Sequence, residues 1–326
     1  MNVIHSTPFT DAVLARGLTK SFGTTQVLAG IDLTVPTGSL LALLGPNGSG
    51  KTTTVRILTT LLAPDGGTAT VGGHDVTREG VAVRRLIGLT SQQATVDGLL
   101  TGRENLELFA GLYHLGRRQA RRQAQELLER FDLTAAANRR VATYSGGMRR
   151  RLDLAASMVS APRILFLDEP TTGLDPRSRA ELWSVIRELL AGGTTILLTT
   201  QYLEEADQLA DRIAVINGGR VVADDSPAAL KRQVGAERLI LRLSRTEDVP
   251  RARSALGETG TRPATSTEAG TRPGTSEREI TLAVQGPDHL RHTLDLLHRA
   301  GVVVEHVALS APTLNDVFFE LTAVAA

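Results

Sequence analysis

Cysteine is absent from the 326 residues, which excludes disulfides, thiolate metal sites and a cysteine nucleophile together. A reducing compartment is consistent with that composition. Aromatic residues make up only 3% of the chain, with one tryptophan and three tyrosines, too few to interleave with basic residues for stacking nucleic-acid bases. Lysine is scarce as well: Lys20, Lys51 and Lys231 are its sole instances. No apolar run approaches the roughly 18 to 20 residues that span a bilayer, and the longest greasy stretches, such as Leu40–Leu44, are strand-sized. Membrane contact is therefore expected only through a partner. The first eleven residues lack a positive region followed by an apolar one, so no secretory signal is expected and the chain should stay inside the cell.

What is present suits a folded domain. Hydrophobic residues are 41%, charged residues 22% and the net charge +1, close to globular averages. The length allows one large domain and a small one. Two arginine-rich stretches, 117–122 and 149–151, read as solvated helix faces, and no nucleic-acid partner is expected.

From Val13 to about Val234, short β-like runs alternate with helical patterns, the order that builds a parallel sheet covered by helices. Ala120, Ala124, Leu127, Leu128 and Phe131 recur at helical spacing, as do Met148, Leu152, Ala155, Ala156 and Val159. This α/β domain is expected over 1–235. A smaller α+β accessory domain is expected over 236–326, with strands at 239–243, 280–284 and 302–307 and helices at 249–256, 289–299 and from Thr313. Within it lies an imperfect ten-residue duplication, 260–269 and 270–279, with the composition of a flexible loop.

The run Gly45, Pro46, Asn47, Gly48, Ser49, Gly50, Lys51, Thr52 fits G-x-x-x-x-G-K-[ST]. It follows the apolar strand Leu40–Leu44 and precedes a helical run that opens at Thr53 and reaches Leu62. Glycines let backbone N–H groups turn around a β-phosphate, and the helix dipole favours the same negative charge. Lys51 is placed to reach the β- and γ-phosphates of ATP, and the Thr52 hydroxyl suits Mg²⁺. A second element, Ile164–Asp168 followed by Glu169, is a buried strand delivering two acids at its carboxyl end, where ligands of open α/β sheets sit. Asp168 is expected to hold Mg²⁺, through water, and Glu169 to act as general base on the attacking water. Ser145, Gly146 and Gly147 open a further helix. Ser145 is a good N-cap and the glycines expose N–H groups, a second anion cradle.

Tyr144-Ser145-Gly146-Gly147-Met148 resembles the signature of the ABC ATPase family, which reads Leu-Ser-Gly-Gly-Gln. The resemblance implies a phosphate-loop NTPase fold with a helical subdomain. It also implies a homodimer in which the signature of one copy closes on the ATP held by the other. By the same resemblance Phe22 stacks on adenine, Gln92 is the Q-loop glutamine that contacts nucleotide and metal, and Gly173-Leu174-Asp175 forms the D-loop. At the switch position, where the family usually has histidine, this chain has Gln201 after Thr199-Thr200.

Several stretches look like the daunorubicin-resistance type of ATP-binding subunit: residues 72–76, 144–154, 199–207 and 312–319. That group implies a separate multi-span membrane permease, a place at the cytoplasmic face of the membrane, and ATP-driven efflux of hydrophobic drugs. Three alternatives stay open. These are a non-transport ABC ATPase, a weakly hydrolysing switch suggested by Gln201, and an importer.

Overall fold

The computed structural model describes residues 10–91, 95–234, 237–257, 278–284 and 286–323. Strands β1 (Asp11–Phe22) and β2 (Thr25–Pro36) form an antiparallel pair, and β3 (Leu40–Leu44) follows with all five side chains buried. A continuously apolar run of that kind belongs in a parallel strand covered on both faces. It delivers the glycine loop to α1 (Lys51–Leu58). The helix ends four residues short of the expected Leu62: Thr60 takes φ 65°, and the N–H groups of Leu61 and Leu62 both turn back to the Arg56 carbonyl.

β4 (Gly66–Val71) and β5 (His74–Asp75) complete a four-stranded antiparallel sheet in the order β2-β1-β4-β5. Next come α2 (Gly80–Leu86), β6 (Ile87–Thr90) and three helices, α3 (Gly102–Leu112), α4 (Arg117–Arg130) and α5 (Gly146–Ser157). A reciprocal cap between Thr101 and Glu104 starts α3. The stripe Ala120, Ala124, Leu127 and Leu128 is the buried face of α4, as its spacing predicts.

β7 (Ile164–Asp168), α6 (Pro176–Ala191), β8 (Thr195–Thr200), α7 (Leu203–Leu209), β9 (Arg212–Asn217) and β10 (Arg220–Asp225) follow. They build a six-stranded sheet in the order β10-β9-β3-β8-β7-β6, parallel throughout except for the β9–β10 hairpin. Its core joins Leu41, Leu43, Phe166 and Leu197 to Leu18, Leu28 and Ile31 of the antiparallel sheet. Each such side chain contributes about 1.5–3 kcal/mol on burial. This is the expected α/β architecture, and it sets the ends of β3, β8 and β7 side by side.

The chain separates into two compact units, one of residues up to Pro227 together with those from Leu321 onward, and the other Ala228–Glu320. The turn into the second unit is made by α8 (Pro227–Val234). It is followed by β11 (Glu237–Leu243), α9 (Val249–Leu256), β12 (Glu279–Val284), α10 (Gly286–Arg299), β13 (Val304–Ser310) and α11 (Leu314–Ala323). The strands form an antiparallel sheet in the order β12-β11-β13. Leu239, Leu241 and Leu243 alternate into a small core with Ala252, Ile280 and Leu297. β13 starts two residues later than its sequence suggests. Val302 is instead buried in the turn before it, with its N–H bonded to the Leu297 carbonyl. Apart from its last two residues, the duplicated segment lies outside the described residues.

Candidate functional site

Two glycines let the loop after β3 take its shape. A Cβ on Gly45 would stand 2.4 Å from the Ile216 carbonyl oxygen, and one on Gly50, at φ 109°, would stand 2.5 Å from Cδ2 of Leu28. At these two positions the loop lies against backbone and core with no room for a side chain. α1 starts at Lys51 with no side-chain cap, so its first N–H groups and its positive dipole end are available to an anion. The Ser49 hydroxyl is buried without a hydrogen-bond partner, an orphan donor that a phosphate oxygen would satisfy.

Lys51 is 4% exposed. Its ammonium donates to the carbonyls of Gly45 at 2.8 Å and Pro46 at 3.1 Å, and lies 3.5 Å from Oε1 of Glu169. Oδ1 of Asp168 accepts from the Thr52 hydroxyl at 3.2 Å and from the Thr199 hydroxyl at 2.5 Å. The Thr199 oxygen in turn accepts the Glu169 N–H at 3.0 Å, so one threonine ties both acids to the end of β8. Glu169 has φ 48°, a left-handed conformation that carries about 1–3 kcal/mol of strain in a residue other than glycine. The Thr172 hydroxyl donates to Oε2 of Glu169 at 3.3 Å.

Asn47, Lys51, Thr52, Thr53, Glu169 and Gln201 line one cleft of about 530 Å³. Thr52 in its lining and Asp168, which accepts the Thr52 hydroxyl, offer oxygen ligands that fit a hard cation such as Mg²⁺. No cluster of three or more His, Cys, Asp or Glu occurs among the described residues. Phe22 stands half-exposed at the end of β1, with the Lys20 ammonium 5.8 Å from its ring centroid. Gln92 lies outside the described residues.

Ser145, Gly146, Gly147 and Asp175 do not line this cleft. They sit instead at two helix starts that touch. Oγ of Ser145 accepts the Met148 N–H at 3.2 Å and caps α5. Asp175 caps α6 through the N–H and hydroxyl of Ser178, at 3.0 and 2.7 Å, and these bonds hold its carboxyl below the usual range. A Cβ on Gly147 would come within 2.6 Å of the Ser178 hydroxyl, so this glycine is demanded by packing. Tyr144 is buried and donates its hydroxyl to the Ala136 carbonyl at 2.7 Å.

The expectation of a solvated arginine face at 149–151 is corrected. Arg150 is 8% exposed, while Arg151 is half-buried against Asp132 and Glu181. Arg150 packs under the acid turn because Gly147, Arg150 and Leu154 share the buried face of α5. Three arginines in a row conceal that one of them falls on the inward stripe, which helical spacing at i, i+3 and i+7 would have revealed. Thr199 was also missed as a site residue: a hydroxyl inside an all-buried strand gives no sign of which carboxylate it will meet.

Comparisons with known proteins agree with this geometry. The ABC transporter family matches residues 28–172. Daunorubicin resistance ATP-binding protein DrrA2 of Streptomyces coeruleorubidus is 53% identical, with 95% of each chain covered. Daunorubicin/doxorubicin resistance ATP-binding protein DrrA of Streptomyces peucetius is 47% identical over 96% of this chain and 93% of that one. Among solved structures, an ATP-binding subunit of an ABC transporter matches with TM-score 0.61 at 28% identity, over 68% of this chain and 92% of that one. A dimeric ATP-binding cassette, MJ0796, in a post-hydrolysis state with ADP and Pi matches with TM-score 0.60 at 26% identity, over 66% and 98%.

No helix among the described residues is long and apolar enough to cross a membrane. A glycine loop and a strand-end acid pair on this sheet, in a chain with these relatives, define an ATP-hydrolysing cassette. The chain belongs to the ABC transporter ATP-binding proteins, in the daunorubicin-resistance group.

Proposed function

We propose that the chain hydrolyses Mg-ATP to drive export of hydrophobic drugs through a separate membrane permease, at whose cytoplasmic face it docks. The observation that carries this reading is the convergence of Lys51, Asp168, Glu169 and Gln201 at adjoining strand ends, in a chain 53% identical to a drug-resistance ATP-binding protein.

The loop N–H groups hold the phosphates of ATP, and Lys51 leaves the Gly45 and Pro46 carbonyls to neutralise the β- and γ-phosphates. Thr52 and Asp168, with Gln92, would hold Mg²⁺, which when bound would offset the negative charge of the phosphates. Glu169 orients the attacking water and takes its proton. The Gln201 amide donates to the γ-phosphate and accepts from the water, supplying position without positive charge. Phe22 stacks on adenine. Ser145, Gly146 and Gly147 of a second copy close over the γ-phosphate, with Asp175 at the contact, which makes the working unit a homodimer with two ATP molecules.

The test is transport of a fluorescent anthracycline into inverted membrane vesicles carrying this chain and its permease. ATP-dependent uptake that disappears in Lys51→Ala is the expected result. Uptake that persists in that variant, or vesicles that hydrolyse ATP with no response to any hydrophobic drug, would overturn the export reading.

A further inference from the structure

Arg150 spends its whole hydrogen-bonding capacity on the acid turn and its surroundings. Nε donates to the Pro170 carbonyl at 2.7 Å, and Nη2 to the carbonyls of Asp168 at 3.2 Å and Glu169 at 3.1 Å. Nη1 donates to the Ser91 carbonyl at 2.7 Å and to Oδ2 of Asp153 at 3.4 Å. These five bonds match the five donors of a guanidinium. Asp153 is buried and accepts the N–H and hydroxyl of Thr95 at 2.7 and 2.5 Å. One arginine on α5 thus grips three consecutive carbonyls, and with Asp153 it holds Ser91 and Thr95 against the same helix. Burial pulls its guanidinium pKa down, countered by the charges of Asp153, Asp168 and Glu205.

The gripped residues need holding. Glu169 sits in a left-handed conformation that persists only where its surroundings over-determine it. Buried carbonyls also need donors, and the guanidinium supplies one to each of these three. A lysine could offer three donors from one flexible point, whereas arginine offers five in a fixed plane.

We propose that Arg150 is a positioning residue for ATP hydrolysis: by fixing the carbonyls of Asp168, Glu169 and Pro170 it keeps the Glu169 carboxylate aimed into the cleft. The inference rests on Glu169 being the general base. It predicts a much larger effect on turnover than on nucleotide binding, because Arg150 reaches the acids through their backbone carbonyls and bonds neither the glycine loop nor Lys51.

The experiment compares Arg150→Lys, Glu169→Gln and the double variant in the full-length chain, with ATP binding by calorimetry and single-turnover hydrolysis of radiolabelled ATP. Arg150→Lys is expected to lower kcat about 10- to 100-fold, as loss of a supporting partner at a catalytic site does, with KM and ATP affinity within about threefold. In the Glu169→Gln background the same change should lower the rate by less than about threefold, since both substitutions act through one carboxylate. A kcat within about twofold of the parent overturns the proposal, as does a loss confined to KM, or losses that multiply in the double variant. If Arg150→Lys does not fold, Arg150→Gln is measured in its place. Insolubility of both would make the residue a determinant of folding and would also overturn it. Parental hydrolysis in Glu169→Gln alone removes the base assignment, whereas parental turnover in Arg150→Lys beside a stalled Glu169→Gln removes only the role of Arg150.

Discussion

The Lys51 ammonium stands 3.5 Å from Oε1 of Glu169, with both side chains buried. The ammonium proposed to clamp the γ-phosphate and the carboxylate proposed to deprotonate water thus form an ion pair in the cleft. A phosphate entering between them competes with Glu169 for the same cation, so substitution of either partner shifts nucleotide binding as well as turnover.

Lys51→Ala leaves Glu169 buried with no cation beside it and takes the positive charge from the transition state. Steady-state phosphate release at saturating Mg-ATP should fall about 10²- to 10³-fold, with ATP affinity reduced. Hydrolysis near the parental rate would disprove the assignment of the glycine loop.

Glu169→Gln acts in the opposite sense on binding. Lys51 loses its competitor and the γ-phosphate loses a negative neighbour, so ATP should bind as tightly as in the parent or tighter. Turnover should fall about 10²- to 10⁴-fold with loss of the base. Size-exclusion chromatography with ATP should then show a closed dimer, and a monomer under those conditions would contradict the sandwich arrangement.

Gln201 lines the cleft beside Lys51 and Thr52. Its amide positions but carries no charge, and the imidazole of Gln201→His does both near neutral pH. Gln201→Ala should lose about tenfold or more of kcat, while Gln201→His should retain activity. An alanine variant as fast as the parent would make Gln201 a bystander.

Glu205 is fully buried on α7 and accepts the Trp183 indole N–H at 3.0 Å. Burial raises its pKa above the ordinary 4.5, opposed by the nearby Thr200 hydroxyl, the Trp183 indole N–H, the Thr171 hydroxyl and the charge of Arg179. The unfolded chain ionises this carboxyl near its ordinary value while the native state resists. The group therefore disfavours folding increasingly as pH rises from that value through the raised one, and by a constant amount beyond. Glu205→Gln keeps an acceptor for Trp183 and removes the charge. Its Tm relative to the parent should rise between pH 5 and pH 8. A difference that stays flat with pH would show that ionisation of Glu205 is not what burial penalises.

What could be read from the sequence was whatever a local pattern encodes. The glycine loop declares itself because phosphate binding needs backbone at fixed intervals, and Ile164–Asp168 because a buried strand ending in acids has few other uses. The stripe of α4 follows from helical spacing alone. Arg150 and Thr199 stayed hidden for the same reason: each is defined by what lies across the fold, at Asp168–Pro170 for one and at Asp168 and Glu169 for the other. Gly147 shows the limit from the other side. Its motif suggests anion binding, while its contact with Ser178 supplies a packing reason that only the folded chain reveals.

That contact changes how a genetic screen of the signature should be interpreted. An inactive substitution at Gly147 reports a collision with α6, whatever the residue does to nucleotide, because the neighbour is only 2.6 Å from where a Cβ would sit. Gly146 is the informative position. A Cβ there would meet nothing nearer than Cδ2 of Leu174 at 3.8 Å, so alanine fits at 146 without a collision. A Gly146→Ala protein that melts no lower than its parent yet fails to confer resistance would locate the lesion at the surface proposed to meet a second copy.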